Sequence, residues 1–228
     1  MTLQPGITEQ EIANYLANTP AFFERHAELL ASVQLTSPHG QRAVSLQERQ
    51  MEMLRERIKA QEQRAVEMIR HGNENLAIAD RLHRFTCELL RVDTPDTLPE
   101  VVVRAARHQF MIPQATLRLW GVRAELATRA YAQDVSDDLR AFVTSMGQPY
   151  CGVNAGFEAV GWLAEPTQVA SVAMVPLRQR GAESSFGLLV LASPDATRYT
   201  ADMGTEFLQR LGEACGSALG RLLPPAAA

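Results

Sequence analysis

The chain has 228 residues, 46% hydrophobic and 21% charged, a mix that excludes a disordered or fibrous protein. A formal charge of -4 gives no global attraction to nucleic acid or to an anionic membrane surface. Three cysteines are too few for a disulfide framework and suit a reducing compartment.

The first residues, MTLQPGITEQEIANYL, lack the positive start and apolar run of a signal peptide. No run of about 18 apolar residues occurs, so no membrane-spanning helix is expected and the expected compartment is the cytoplasm. Thr8 and Glu11 have the spacing of a capping box, with Ile7 and Ile12 placed for a hydrophobic staple. The helix so started carries Ile12, Tyr15 and Leu16. Thr19 as N-cap and Pro20 in the first turn predict a second helix. Phe22, Phe23, His26, Leu29 and Leu30 form its apolar face, and Ser37-Pro38-His39-Gly40 breaks it. Phe22 and Phe23 are read as packing residues, because aromatics at helical spacing are more often core than partner anchors.

Between Ser45 and Val92 there is no proline and a single glycine, Gly72. Strong helix formers dominate, which predicts one helix roughly 70 Å long. An a/d stripe runs along it. Met51, Ile58, Ala65, Gly72, Ala79 and Thr86 recur every seven residues, and Leu54, Gln61, Met68, Asn75, Leu82 and Leu89 follow each by three. Gln61, Gly72 and Asn75 weaken the middle of this seam. The expected dimer interface is Met51, Leu54, Ile58, Ala65, Met68, Ala79, Leu82 and Leu89. Residues 42–71 hold seven Arg and Lys against five Glu, read as a solvated helix face rather than a nucleic-acid stripe.

After Asp93-Thr94-Pro95 the pattern becomes mixed. Asp96-Thr97-Leu98-Pro99 opens a helix through Val101, Val102, Ala105, Ala106 and Phe110, closed by Met111-Ile112-Pro113. Thr116–Gly121 alternates as a strand, and a second short strand is expected at Ala127–Ala132. Ser136-Asp137-Asp138 opens a helix with Leu139, Phe142, Val143 and Met146 on one side, closed by Gly147 at C′. A strand is expected at Pro149–Gly152. The apolar segment Phe157–Leu163 fits no period. Strands follow at Ser171–Leu177 and Ser185–Ala192, joined by a polar hairpin loop with Gly181. Asp202–Thr205 starts a last helix carrying Phe207, Leu208, Leu211, Cys215, Leu219 and Leu222. The fold class is α+β with a mostly antiparallel sheet flanked by helices. The expected division is 1–41 (short helices), 42–92 (long helix), 93–223 (α+β domain) and 224–228 (frayed tail).

Ser171-Val-Ala-Met-Val-Pro176-Leu177, a polar turn and Phe186-Gly187-Leu-Leu-Val-Leu-Ala-Ser193 resemble a GAF domain. The whole chain resembles the DUF484 family. The carrying residues are Phe22-Phe23-Glu24-Arg25-His26-Ala27-Glu28-Leu29-Leu30, Val44-Ser45-Leu46-Gln47-Glu48-Arg49-Gln50, Tyr150-Cys151-Gly152 and the string from Ser193 through Arg198, Tyr199, Asp202, Met203, Gly204 and Thr205 to Leu208. Ala192 and Ala201 depart from the expected glycine and proline. The family name records an unknown function. The resemblance implies a domain that binds small molecules and reports through adjoining helices, often as a dimer.

No catalytic set, metal site or named cofactor follows from the residues. His26, His39, His71, His83 and His108 form no HxxxH or Cys/His cluster, and the glycines form neither GxGxxG nor a Walker loop. Cys87, Cys151 and Cys215 are not at CxxC spacing, so Cys151 reads as a packed or pocket-lining cysteine rather than a thiol nucleophile. By resemblance, Leu119, Tyr150, Cys151, Phe157, Trp162, Met174 and Pro176 would line a ligand cavity. Phe157 and Trp162 would stack on a ring, and Arg118 or Arg178 would meet an anion. The alternative is that these aromatics fill the core. The function expected is a non-enzymatic sensor, dimeric through the long helix, with an unidentified protein partner, because no output domain is visible in the chain. A ligand-free scaffold or adaptor is the second reading and a thiol enzyme using Cys151 the third.

Overall fold

Thr8 and Glu11 close the capping box that opens the first helix. The Thr8 hydroxyl accepts from the Glu11 N–H at 3.3 Å, and the Glu11 carboxylate accepts from the Thr8 N–H at 2.8 Å. The computed structural model describes residues 7–32, 34–36 and 43–225. The chain divides into two units, Met1–Gly72 and Asn73–Ala228.

In the first unit, α1 spans Glu9–Asn18. The second helix expected from the sequence is two helices, α2 (Ala21–Arg25) and α3 (Ala27–Ser32). His26 leaves the helical basin at φ -121° and ψ 45°. Its ring packs on Phe22 at 4.6 Å, and Phe22 also meets Tyr15 and Phe23 edge-on at 5.9 and 5.4 Å. Thr19 is not the N-cap; Pro20 holds that position in a helical conformation and supplies no side-chain cap, because proline's φ already suits the helix. A short antiparallel pair, β1 (Gln34–Thr36) and β2 (Ala43–Ser45), carries no sequence signal of its own. The break expected at Ser37–Gly40 and the last residues of the expected tail, 226–228, lie outside the described residues.

One helix, α4 (Leu46–Leu90), has residues in both units. Every residue from Gln50 to Asp80 is exposed. At its C-terminal end Phe85 and Leu89 are buried in the core of the second unit.

That unit is built on a four-stranded antiparallel sheet in the order β3-β6-β5-β4. The strands are β3 (Gln114–Leu119), β4 (Tyr150–Val153), β5 (Ser171–Arg178) and β6 (Ser185–Ser193). Both faces of its central strands are covered, which explains why β5 and β6 read as continuous apolar runs and not as alternating ones. Alternate residues point to opposite faces. Ala173, Val175, Leu177, Leu189 and Leu191 pack with α5 (Leu98–Phe110), α7 (Glu206–Leu219) and the end of α4. Val172, Met174, Leu188, Val190 and Ala192 pack with α6 (Asp137–Ser145) and the 3-10 turn Glu158–Trp162.

Two local expectations need correction. Ala127–Ala132 is not a strand. Two 3-10 turns, Ala124–Leu126 and Ala130–Ala132, occupy this stretch. Helix α6 ends at Met146 in extended backbone, φ -68° and ψ 110°, and Gly147 is not among the positive-φ glycines. Thr205 precedes α7 but its hydroxyl makes no cap hydrogen bond. The β5–β6 loop does turn on Gly181, at φ 80°, a conformation glycine adopts without strain.

Candidate functional site

The nine residues expected to line one cavity sit on two sides of the sheet. Leu119 on β3 and Cys151 on β4 belong to the face covered by α5 and α7. Met174 is fully buried on the other face, where Tyr150, Phe157 and Trp162 pack against the same cluster. The reason is the register. Tyr150 pairs with Met174 and Cys151 with Ala173, so the two neighbours point in opposite directions. On the α6 face the aromatics fill space. Tyr150 and Phe157 meet edge-on at 5.1 Å, and Leu139, Val143, Val160 and Leu163 close over Met174 and Val190.

The two arginines expected to meet an anion differ in what holds them. Arg178 donates through Nη2 to the carbonyl oxygens of Thr144 and Met146, and through Nε to that of Glu183 at 3.2 Å. It therefore satisfies backbone carbonyls at the end of α6 and in the β5–β6 loop. Pro176 and Arg178 line a cavity of about 850 Å3 between the β5–β6 loop, Gly147–Pro149 and α7. Arg118 places its guanidinium over the Trp162 ring, 5.3 Å from the centroid, a cation–π geometry. Trp162 is itself fixed by donating Nε1–H to the Asp134 carbonyl at 3.1 Å. Burial lowers the pKa of Arg118, partly offset by Asp134. Its Nε is buried without a hydrogen-bond partner among the described residues.

A groove of about 640 Å3 lies between α5 and β3. Arg104, Arg107 and His108 come to it from α5 and Arg118 from β3, over Val103, Ile112 and Leu117. The α5 residues did not figure among the expected site residues. Their signal was positional: Glu100, Arg104 and His108 recur every four residues, so all three share one helix face.

The thiols do not form a reactive set. Burial pushes the pKa values of Cys151 and Cys215 up, opposite to the shift a nucleophile requires. Cys87 is half-buried, with its Sγ 3.7 Å from His83 Nε2. Native alkylation with iodoacetamide followed by peptide mass spectrometry should therefore modify Cys87 well before the other two. Faster labelling of Cys151 would reopen the thiol-enzyme reading. Among the described residues no group of three or more His, Cys, Asp and Glu is placed to hold a metal ion, and no helix is long and apolar enough to cross a membrane.

The expected dimer seam divides. Leu89 is buried and Leu82 packs against the second unit's own core, which corrects their assignment as interface residues. Met51, Leu54, Ile58, Ala65, Met68 and Ala79 are all exposed. Ile69 and Leu76, which the seven-residue count passed over, are exposed as well.

Two solved structures similar to this chain are GAF domains. One, from Pseudomonas syringae pv. tomato, is 21% identical with a TM-score of 0.44, covering 67% of this chain and 91% of that one. The other, the nlh2 GAF domain of A. aeolicus in an inactive state, is 11% identical with a TM-score of 0.40, covering 65% and 96%. Among curated proteins, the uncharacterized protein YigA of Escherichia coli (strain K12) is 28% identical over 219 residues, 92% of this chain and 91% of that protein. YigA of Shigella flexneri is 27% identical over the same length. The family model described as "Protein of unknown function, DUF484" matches residues 1–223, and the chain belongs to that family.

Proposed function

We propose that the protein is a non-enzymatic, cytoplasmic regulatory protein that works as a dimer through α4. A GAF-like unit at one end of that helix is coupled to N-terminal helices that contact an unidentified protein partner. One observation carries this reading. Met51, Leu54, Ile58, Ile69 and Leu76 on this helix are 49–66% exposed. A continuous apolar stripe of this length is the mark of an interaction surface. Because Phe85 and Leu89 of the same helix sit in the second unit's core, a change in that core bears directly on the helix. The exposed Ile7, Ile12 and Tyr15 on or beside α1 offer apolar contact to a partner.

The α6 face of the sheet favours the ligand-free scaffold reading, since the residues expected to open a cavity there are packed together. A sensing role needs a site elsewhere in the fold.

Native mass spectrometry of the full chain tests the reading. The expected mass is twice that of the 25.1 kDa chain. A defined additional mass would identify a retained ligand. A single-chain mass at micromolar concentration overturns the dimer.

A further inference from the structure

We propose that the groove between α5 and β3 binds a small organic anion, an apolar body bearing a carboxylate or phosphate. Its volume, about 640 Å3, lies within the range of small-molecule sites, roughly 300–1,000 Å3. Val103, Ile112 and Leu117 give it apolar walls. Against the single carboxylate of Glu100 stand Arg104, Arg107 and His108, all from α5.

Two features separate this groove from an ordinary basic surface. First, Arg104, Arg107 and His108 form no ion pair among the described residues. Second, the hydroxyl of Tyr131, a residue of the lining, is buried without a hydrogen-bond partner among the described residues. Buried donors are normally paired. A ligand acceptor is the missing partner that this geometry provides for. Helix α5 contributes through a single face. Leu98, Val102, Ala105 and Ala106 anchor it in the core, while Arg104 and Arg107 stay exposed.

The site stands whether or not α4 pairs with a second copy. The test is a fluorescence titration of the full chain with 8-anilinonaphthalene-1-sulfonate, an amphipathic anion. Competitors are 4-phenylbutyrate, phenyl phosphate and the neutral 4-phenylbutanamide. The expected result is displacement by the two anions and not by the amide, the tighter anion naming the head group. Arg104→Gln with Arg107→Gln should weaken the probe by about tenfold or more, since charge-assisted contacts are lost. Val103→Trp, which fills the groove, should do the same by a different route. Both arginines are exposed, so folding is retained and circular dichroism confirms it. No binding, affinity within about twofold in the double arginine variant, or equal competition by the amide overturns the proposal. Particle mass is read on the same samples, so a failed groove and a failed dimer are told apart.

Discussion

If α4 pairs as proposed, Ile58→Asp combined with Leu76→Asp should leave only single chains of 25.1 kDa, with the C-terminal unit still folded. The expectation follows from the helix geometry. At about 100° per residue, Met51, Leu54, Ile58, Ala65, Ile69, Gly72, Leu76 and Ala79 lie within about 40° of one line along α4. Leu82, Phe85 and Leu89 are turned about 100° or more away from that line, toward their own core. The free stripe therefore runs through Ile69 and Leu76 and not on to Leu82 and Leu89. Its repeat is eleven residues: Leu54, Ala65 and Leu76, with Ile58 and Ile69. An eleven-residue repeat calls for a straight or slightly right-handed pairing in place of the left-handed heptad coil.

In an in-register parallel dimer Arg57 of one chain meets Glu62 of the other, five residues on, as flanking positions do in coiled coils. Each aspartate would bury an unpaired charge, at a cost on the order of 3–5 kcal/mol, and each appears twice per dimer. Aspartate costs an isolated helix only about 0.7 kcal/mol, so a fall in mass reports pairing and not helix melting. Glu56→Lys with Glu67→Lys, on the opposite side of α4, should leave the mass unchanged. Leu82→Asp should instead unfold the second unit. Sedimentation equilibrium that returned a dimer for the Ile58→Asp/Leu76→Asp chain would remove the stripe as the interface.

The long helix, the two central strands and the Thr8 capping box were legible because each is written in local sequence. Leu46–Leu90 needs only propensity, and β5 and β6 need only apolar runs bounded by turn residues. The site was less legible because it depends on register and on distant chain segments. Tyr150 and Cys151 are neighbours in sequence and point to opposite sides of the sheet. Arg178 is occupied by Thr144 and Met146, more than thirty residues away. No local pattern records either fact. The expected seam lies on exposed residues at its start and on core residues at its end, because a seven-residue count drifts around a straight helix by about 20° per heptad. After several heptads that drift carries it from the free face to Leu82 and Leu89.

Gly216→Ala should destabilise the second unit by about 3 kcal/mol, the upper end of what overpacking costs. The same substitution one turn later, Gly220→Ala, should stabilise it slightly. Helix α7 lies so close on β5 that a Cβ at Gly216 would overlap the carbonyl oxygen of Arg178, and one at Gly212 would stand 2.8 Å from Val175 Cγ1. At Gly216 the obstacle is the backbone of Arg178, the last residue of a central strand, which cannot swing aside as a side chain can. Relief would require lifting α7 and exposing Leu208, Leu211, Cys215 and Leu219, all buried against the sheet. At Gly220 the nearest atoms belong to the Gln179 side chain at 3.7 and 3.8 Å, ordinary contact distances. The backbone there is already helical, at φ -55° and ψ -21°. Alanine at such a position gains about 0.4–1 kcal/mol by restricting the unfolded chain. In thermal unfolding the two variants should move in opposite directions, Gly216→Ala down by roughly 6–12 °C and Gly220→Ala up by roughly 1–4 °C. A Gly216→Ala protein melting within about a degree of the unmodified chain would mean that α7 does not rest on β5 this closely. The cavity between α7 and the β5–β6 loop would then need redrawing, while the α5–β3 groove would stand unaffected.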